Sequence, residues 1–275
     1  MRKNCKKVNR LCFFSLASGS SGNCYFIGTA HHGILIDVGI GIRTIKKRLK
    51  NFGYGLENIL AVFITHDHFD HIKSVGILGE KYHVPVYSTE KILDGINKCY
   101  IVTEKLYGSK RFIDIHEKIT IADFSITAFP VSHDATESLG YSIEYKNANF
   151  TLATDLGYIC EHSLPYLKQA NYLVIEANYD MEMLDNGKYP IYLKNRIKGD
   201  KGHLCNDDTA SFLVEHYQEQ LQHIYLCHLS RENNTPEKAF ETVKEALENN
   251  GIQIGNEVQL TVLPRMQSSE FYIFD

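Results

Sequence analysis

The sequence lacks the features that would place it outside the ordinary globular proteins. Its 275 residues contain no run of the roughly 18–20 apolar residues needed to cross a bilayer, and apolar stretches such as Leu60–Ile64 have the length of a strand. Internal repeats and low-complexity segments are absent. With 44% hydrophobic and 23% charged residues, the composition excludes a disordered tail or a fibrous rod. We therefore expect a soluble protein without a membrane segment.

Cysteine is present, but not in the patterns that predict a disulfide framework or a zinc knuckle. The seven cysteines are scattered, odd in number and without a Cys-x-x-Cys pair, which is typical of reduced thiols in the cytoplasm. Basic residues, a short apolar stretch and Cys24 near the N-terminus are reminiscent of a lipoprotein export signal. The Ser-Gly-Ser-Ser-Gly run before Cys24 is too polar and turn-prone for one, so we expect a tight turn and a cytoplasmic protein.

A strong excess of one charge is also missing. The net charge of −4 argues against a basic nucleic-acid footprint over the whole chain. The distribution is uneven, because residues 43–50 hold five basic residues and no acid, and residues 188–201 hold five against Asp200 alone. Each run by itself is typical of a solvated helix face. Contact with a polyanion would require such a run to flank a reactive cleft.

The hydrophobic pattern indicates an α/β protein. Short apolar strands come first, beginning with a hairpin of Leu11–Leu16 and Cys24–Ile27, and helices are interleaved in both halves. Apolar spacing predicts helices over Ile42–Phe52 and 72–82, a strand-like run over 119–131 and a long irregular insertion over 178–203. Two sheets that pack together, with helices covering them outside, account for this order.

The densest group of ligand-type residues is the segment 66–71, which follows an apolar strand. It holds three histidines and two aspartates in six residues, and no backbone propensity explains such a cluster. His66 and His68, two residues apart at a strand end, can bind one metal ion, while Asp70 and His71 face the other way and can bind a second. Imidazole with carboxylate suits Zn, Mn or Fe and does not suit Ca or Mg. The motif therefore predicts metal binding.

Further ligand-type residues lie at the carboxyl ends of other apolar strands. They are Asp37, His133, Asp155 and His228. Each one alone is as well explained as a turn or cap residue. Strand ends converge on one rim of a sheet, however, so residues that are distant in the sequence can meet there. Together with the histidine cluster, five such strand ends favour one shared site.

The order of these residues resembles the metallo-β-lactamase superfamily. The His-x-His-x-Asp-His motif is followed by a lone histidine, a lone aspartate and a final histidine, and the resemblance extends over the chain from Leu11. Motifs at 16–23, 175–180, 202–206 and 228–234 resemble the WalJ (YycJ) branch, which is associated with metal-dependent nuclease activity. The resemblance implies a four-layer αββα sandwich, with two mixed sheets packed face to face and helices outside, in a single domain 1–275 whose first ten residues are flexible.

The resemblance also implies two divalent transition-metal ions, Zn or Mn, and a set of ligands. One ion would be held by His66, His68 and His133, and the other by Asp70, His71 and His228, with Asp155 bridging them. Asp37 would hold the 66–71 loop through hydrogen bonds. Metal binding lowers the pKa of water, so a hydroxide would be available at neutral pH to attack phosphorus.

Phosphodiester hydrolysis also needs cationic donors near the developing charge and a proton for the leaving oxygen. His203, in a Gly-His-Leu loop, is the candidate donor and joins Asp70 as a catalytic candidate, and Glu176 is the acceptor that orients His203 or His228. Residues near the inferred rim are candidate substrate contacts: Lys194, Arg196, Arg231, Asn233, Asn234, Ser20 and Asn23. A plain tight turn explains Ser20 and Asn23 equally well.

The sequence thus predicts a dinuclear metal-dependent hydrolase that cleaves phosphodiesters in nucleic acid. The resemblance narrows this to a DNA exonuclease that works in the 5′-to-3′ direction. A glyoxalase-type thioester or lactone hydrolase is the alternative, but it would need an acyl pocket where this chain has the basic segment 194–203. A catalytically idle binding module is a third hypothesis, against which the complete set of ligand-type residues argues. Zn and Mn are not distinguished.

Overall fold

The computed structural model describes residues 10–274, and its first sheet contains seven strands. Their spatial order is β14-β1-β2-β3-β4-β5-β6, antiparallel from β14 to β3 and parallel from β3 to β6. The strands are β1 (Cys12–Gly19), β2 (Gly22–Gly28), β3 (Gly33–Ile36), β4 (Ile59–Phe63), β5 (Val86–Ser88), β6 (Lys110–Phe112) and β14 (Tyr272–Ile273). The expected flexible segment 1–10 lies, except for Arg10, outside the described residues, and the single domain stays a prediction.

The second sheet also has seven strands, in the order β13-β12-β11-β10-β9-β8-β7. It is antiparallel from β7 to β10 and parallel from β10 to β13. The strands are β7 (Lys118–Ile121), β8 (Phe124–Pro130), β9 (Leu139–Tyr145), β10 (Ala148–Ala153), β11 (Tyr172–Glu176), β12 (His223–Cys227) and β13 (Gln259–Val262). Both sheets are therefore mixed, as predicted.

Helices connect the strands, and the described part of the chain has eight α-helices. They are α1 (Ile42–Asn51), α2 (Phe69–Ile72), α3 (Glu90–Lys98), α4 (Leu164–Lys168), α5 (Met181–Asn186), α6 (Ile191–Lys198), α7 (Asn206–Glu215) and α8 (Pro236–Asn249). A 3₁₀ turn covers Leu56–Asn58 and a π-helical turn covers Ile77–Lys81. None of the helices among residues 10–274 is long and apolar enough to span a membrane.

Three expectations about the elements were wrong. The single strand-like run 119–131 is two strands, because the chain reverses at Ala122, whose φ is +50°. The predicted helix 72–82 is broken into α2 and the π-helical turn. The insertion 178–203 is not irregular, since it contains α5 and α6.

The two sheets pack face to face through large aromatic side chains. On β1, Phe13 faces the second sheet and contacts Phe150 and Tyr225, with ring centroids 4.9 and 5.0 Å apart. The next residue, Phe14, points to the other face, where it contacts Phe52 just after α1. This alternation follows from the two-residue period of a strand.

Helices cover the outer face of each sheet. On the second sheet, the buried apolar side chains of α7 and α8 join those of β11 and β12 in one core cluster. On the first, α1 buries Ile45 and Leu49 and exposes its basic residues other than Arg48, which is half-buried. The predicted arrangement of two central sheets between outer helices is confirmed.

Candidate metal centre

The predicted ligands meet at the carboxyl ends of strands from both sheets. Three of the positions that follow a strand have left-handed backbone conformations, with φ of +56° at Asp37, +57° at Asp155 and +55° at His228. A residue other than glycine in this region carries a strain of about 1–3 kcal/mol and is enriched at functional sites. The strain at three strand ends around one cleft indicates that these side chains are held in place for a function.

The first group of ligand atoms comes from the loop after β4 and the loop after β8. His66, His68 and His133 each place a ring nitrogen within 4.8 Å of the others. Two of these rings are fixed by the protein through their other nitrogen, because His66 Nδ1 lies 3.0 Å from the Thr65 hydroxyl and His133 Nδ1 lies 3.0 Å from the Gly202 carbonyl oxygen.

The second group consists of Asp70, His71 and His228, again with ligand atoms within 4.8 Å of one another. Asp155 lies between the two groups. Its Oδ2 is 3.3 Å from His71 Nε2, whereas its Oδ1 is 3.6 Å from His133 Nε2. A carboxylate whose two oxygens approach the two groups is placed as a bridging ligand would be.

Unpartnered buried nitrogens test whether these residues fit metal ions. The Nε2 atoms of His66 and His228 are buried and have no hydrogen-bond partner among the described residues, although a buried polar group without a partner costs about 1–3 kcal/mol. Both atoms belong to the ligand groups. Imidazole and carboxylate donors suit a divalent transition metal, so the residues present fit such ions.

Hydrogen bonds behind the ligands fix their orientation. Asp37 is fully buried and accepts from the Thr65 amide (2.9 Å), the Thr65 hydroxyl (2.8 Å) and His71 Nδ1 (2.7 Å). Glu176 accepts from His203 Nδ1 (2.8 Å) and His228 Nδ1 (2.9 Å) through the same oxygen. The sequence predicted both acceptors, and such outer contacts set the tautomer and basicity of metal-binding histidines.

Burial and charge set the protonation states of the centre. Burial lowers the pKa of His66, and His71 and His133 lower it further, which favours the neutral imidazole that binds metals. Burial alone would lower the pKa of His228, but Asp155 and other carboxylates outweigh it and raise that pKa to about 10. Burial would raise the pKa of Asp155, yet the surrounding histidines lower it overall.

The predicted substrate contacts divide into exposed and buried residues. Ser20, Arg196 and His203 line one pocket beside the metal ligands. Arg231 lines a neighbouring pocket with Ser20. Lys194 is half-buried, and its ammonium group donates to the Asp185 carbonyl oxygen.

Three predicted contacts lie in the interior instead. Asn23 is fully buried, and its amide nitrogen lies 3.0 Å from His71 Nε2. Asn234 is buried and donates to the Ala177 carbonyl oxygen and to Asn206. Asn233 is 1% exposed. Because none of the three reaches the surface of the cleft, burial contradicts a substrate contact for Asn23, Asn233 and Asn234.

Sequence reasoning missed several supporting residues. Thr65 joins Asp37 to the histidine loop, and Asn178 donates to the His228 carbonyl oxygen. Asp67 accepts from the amide and hydroxyl of Thr136 and so ties the loop of His66 to the loop of His133. Their positions inside or beside the motifs were the only indication of a role that the sequence offered. Hydrogen bonds between distant loops produce no periodic pattern in the sequence, so these contacts could not be predicted.

Comparison with protein families gives one match that covers most of the chain. Residues 32–229 match the model described as the beta-lactamase superfamily domain. All seven predicted metal ligands lie within this range.

Comparison with characterised proteins gives relatives of nearly the same length. The exodeoxyribonuclease YycJ of Bacillus anthracis is 34% identical over 96% of this chain and 99% of its own length. The exodeoxyribonuclease WalJ of Streptococcus pneumoniae is 35% identical over 87% of this chain and 89% of its own length.

Solved structures share the fold at low sequence identity. The metallo-beta-lactamase fold protein YhfI from Bacillus subtilis has a TM-score of 0.72 at 14% identity and covers 97% of this chain and 100% of its own. Zn²⁺-bound PqqB from Methylobacterium extorquens has a TM-score of 0.67 at 16% identity, covering 94% and 99%. These similarities concern the fold alone.

Proposed function

Because this chain belongs to the beta-lactamase superfamily, and within it to the family of the YycJ and WalJ proteins, we propose that it is a metal-dependent exodeoxyribonuclease. The observation that carries the proposal is the meeting of seven ligand-type side chains from both sheets at one cleft. The names of relatives that are 34% and 35% identical to this chain support DNA as the substrate. The 5′-to-3′ direction belongs to the proposal.

The centre would hold two divalent ions, Zn or Mn. His66, His68 and His133 would hold one ion and Asp70, His71 and His228 the other, with Asp155 between them. When bound, such ions polarise a phosphoryl oxygen and make water acidic enough to serve as a nucleophile at neutral pH. Asp37 and Glu176 keep the histidines oriented for this task.

Residues beside the ligands would bind the substrate and protonate its leaving group. The Nδ1 atom of His203 is hydrogen-bonded to Glu176. The other ring nitrogen is therefore available to donate a proton to the leaving oxygen. Burial would lower the pKa of His203, but Glu176 and Asp155 outweigh it and raise that pKa, which favours the protonated donor. Arg196, Lys194, Arg231 and Ser20 would contact phosphates along the cleft.

A thioester or lactone hydrolase is not favoured. The wall of the cleft next to His203 carries Arg196, and residues 188–201 contain five cations against one acid. Such a wall suits a polyanion better than an acyl group, since Lys and Arg at phosphates supply most nucleic-acid affinity. The free state of the six described cysteines supports a cytoplasmic location.

A panel of substrates tests the proposal. The protein loaded with Mn or Zn should degrade 5′-phosphorylated single-stranded DNA from one end and should leave a thioester intact, with RNA and bis(p-nitrophenyl) phosphate as comparison substrates. Asp70→Asn and His228→Ala should lose DNA degradation, because each removes a ligand. His162→Ala is the matched control, since His162 is exposed and belongs to neither ligand group. Full activity of either ligand variant would rule out the dinuclear centre.

The basic residues beside the cleft, Lys194 and Arg196, can be tested separately. Lys194→Ala combined with Arg196→Ala should weaken DNA binding and reduce the slope of log K against log salt by about 1 for each phosphate that the variant no longer neutralises. Lys46→Ala with Lys47→Ala on α1 removes the same charge from the other basic run and should leave the slope near that of the wild type. An unchanged slope in the first variant would remove the wall from the substrate path.

A further inference from the structure

A groove beside α1, on the outer face of the first sheet, lies apart from the metal centre. It is formed by α1, by the turn 53–58 that follows this helix and by Tyr82, and its volume is about 1160 Å³. We call it the α1 groove. Among the described residues, none that lines it belongs to the ligand groups or to the pocket of His203. The turn precedes β4, whose five residues lead towards the histidine loop and extend about 16 Å. The α1 groove is therefore a separate site.

The α1 groove carries cations that no carboxylate neutralises. Lys46, Lys47 and Lys50 line it, and none of the three forms an ion pair in the described part of the chain. Helix α1 has no acidic residue in its first turn, and Lys46 and Lys50 are like charges four residues apart, which destabilises a helix. Of the described residues that line the groove, Glu57 alone is acidic. Its carboxylate lies over Gly55, where a Cβ would come within 2.1 Å of Oε2. Three cations against one acid favour a ligand with at least two negative charges.

The turn after α1 forms the other wall of the groove and is held in place by hydrogen bonds. Tyr54 is buried, and its hydroxyl donates to the Thr29 carbonyl oxygen at 2.9 Å. The side chain of Asn58 accepts from the Gly55 amide and donates to the His31 carbonyl oxygen, both at 2.8 Å. A wall that is already ordered costs little conformational entropy when a ligand binds. The α1 groove is therefore formed before any ligand arrives.

Tyr82 contributes an exposed aromatic ring to the α1 groove. Its side chain is 43% exposed. The Lys46 ammonium lies 5.1 Å from the centroid of this ring and donates to its hydroxyl at 3.4 Å. The aromatic ring and a cation are thus held side by side. An aromatic ring binds a nucleobase by stacking, and the compact charge of a lysine binds phosphate. A nucleotide carries both of these groups in one molecule.

We propose that the α1 groove binds a free nucleotide, with its phosphates on the three lysines and its base against Tyr82. The volume exceeds the roughly 300–1,000 Å³ of pockets for drug-sized ligands, so a nucleotide fits. From Lys46 to Lys50 the cations span about 6 Å along the helix, which is the reach of the phosphates of one nucleotide rather than of a DNA strand. The proposal does not depend on the proposed function, because the groove and the metal centre share no residue.

A tryptophan reporter tests the proposal, because the chain contains no tryptophan of its own. In metal-loaded Tyr82→Trp the single indole lies in the groove, keeps a ring for the contact with Lys46 and does not report binding at the metal centre. Its fluorescence should change saturably with dAMP or with the magnesium complex of ATP. Adenosine, which lacks phosphate, and inorganic tripolyphosphate, which lacks a base, should bind at least about tenfold more weakly. A response to dAMP would identify the products of DNA degradation as the source of the ligand, and a response to the ATP complex alone would identify nucleoside triphosphates. Either response supports the site.

Removal of two lysines provides a second arm of the test. In the Tyr82→Trp protein, Lys47→Ala combined with Lys50→Ala should raise the Kd of the nucleotide about tenfold, since two exposed ion pairs with phosphate are lost. Lys98→Ala combined with Lys118→Ala is the matched control, because both lysines are exposed and lie outside the groove. This control removes the same charge and should leave the Kd unchanged. Titration calorimetry on the same pairs of substitutions with Tyr82 retained should give the same ratio of Kd values.

Three results would overturn the nucleotide site and leave the metal centre untouched. They are the absence of a saturable response, an equal Kd in the two double-lysine variants, and equal affinity for tripolyphosphate and nucleotide. A reduced salt slope of DNA binding in Lys46→Ala with Lys47→Ala would also overturn the site, since the groove would then bind the DNA strand. Failure of the wild type to degrade DNA would instead refute the proposed function alone.

Discussion

At the scale of single residues, Glu176 supports the centre from behind, because it hydrogen-bonds to side chains and backbone amides from several segments. It is fully buried at the end of β11. One oxygen accepts from His203 and His228, and the other accepts from the amides of Leu156 (2.6 Å) and Leu204 (3.3 Å). The residue therefore joins a candidate ligand, the candidate proton donor and two loops.

Replacing Glu176 by glutamine tests this role. The amide keeps the shape but loses the charge, and its NH₂ group must face either the two histidine N–H groups or the two backbone amides, all of which need an acceptor. We expect metal affinity or DNA degradation to fall about 10–100-fold, as for other residues that support a ligand from behind. Glu144→Gln is the control, because Glu144 lies on the exposed side of β9 and pairs with Lys118. Equal metal affinity in both variants would contradict the role.

His223 gives a prediction about pH that does not involve the metal centre. It lies at the start of β12, stacks on Tyr225 and contacts the Thr261 hydroxyl. Burial lowers its pKa from 6.5 to about 4. Between these values the unfolded chain binds a proton that the folded protein does not, so this residue's contribution is present above pH 6.5 and is lost as the pH falls towards 4.

The measurement is a comparison of two unfolding curves. At pH 5, protonation of His223 in the unfolded chain should lower the unfolding free energy of the wild type by about 2 kcal/mol relative to pH 7.5. His223→Phe cannot take up this proton, so the stability difference between wild type and variant should shift by that amount between the two pH values. The metal ligands are the same in both proteins and cancel. A difference that does not depend on pH would contradict the lowered pKa.

The sequence was most informative about single residues where several ligand types were adjacent. The segment 66–71 and the strand-end residues predicted which side chains would meet. It was least informative about polar residues such as Asn233 and Asn234. The local sequence around an asparagine near a ligand histidine is the same whether its side chain faces the cleft or the interior. Its burial depends on contacts with segments that are distant in the sequence.

At the scale of elements, strands were predictable and the helices over the cleft were not. The predicted hairpin runs Leu11–Leu16 and Cys24–Ile27 lie almost entirely in β1 and β2, because both are short and largely apolar. Helix α6 fully buries none of its residues and carries apolar residues on both faces. A helix that serves as a wall lacks the one-sided pattern from which helices are recognised.

Helix α3 contacts the histidine loop, and Gly95 makes this contact possible. A Cβ at this position would lie 2.1 Å from Asp67 Oδ2, the atom that accepts from the Thr136 hydroxyl at 2.5 Å. Alanine is the better helix former by about 1 kcal/mol, so an ordinary helix position would gain stability from it.

We expect Gly95→Ala to do the opposite. The methyl group displaces Asp67 and so loosens the link between the loops of His66 and His133, and overpacking of this kind costs about 1–3 kcal/mol. Denaturation should show a net loss of about 1 kcal/mol, together with weaker metal binding. Gly41→Ala, where a Cβ would meet nothing within 4 Å, should change stability by less than about 0.5 kcal/mol. A stabilised Gly95→Ala with normal metal affinity would contradict the contact.

At the scale of the whole molecule, the metal centre joins the two sheets. The loops after β3 and β4 of the first sheet carry Asp37 and residues 66–71, while His133, Asp155 and His228 follow strands of the second. The sequence predicted the two sheets and the shared rim. The pairing of strands across each sheet could not be predicted from it, because pairing depends on contacts between residues far apart in the chain.

Ions that bind both sheets should stabilise the folded protein. A ligand at 1,000 times its Kd contributes about 4 kcal/mol, which corresponds to roughly 10 °C in Tm for a chain of this size. Removal of the metal with EDTA should therefore lower the Tm by about that amount, and readdition of Mn or Zn should restore it. In His66→Ala the shift should be much smaller. An equal Tm with and without metal would show that no ion links the sheets.

Metal content measured together with DNA degradation tests the central claim most directly. Elemental analysis of the purified protein, after loading with Mn or Zn and removal of free metal, should give two ions per chain. Degradation of 5′-phosphorylated single-stranded DNA should rise with loading and disappear when the ions are removed. A protein that binds no divalent ion, or one that degrades DNA fully without it, would contradict the account.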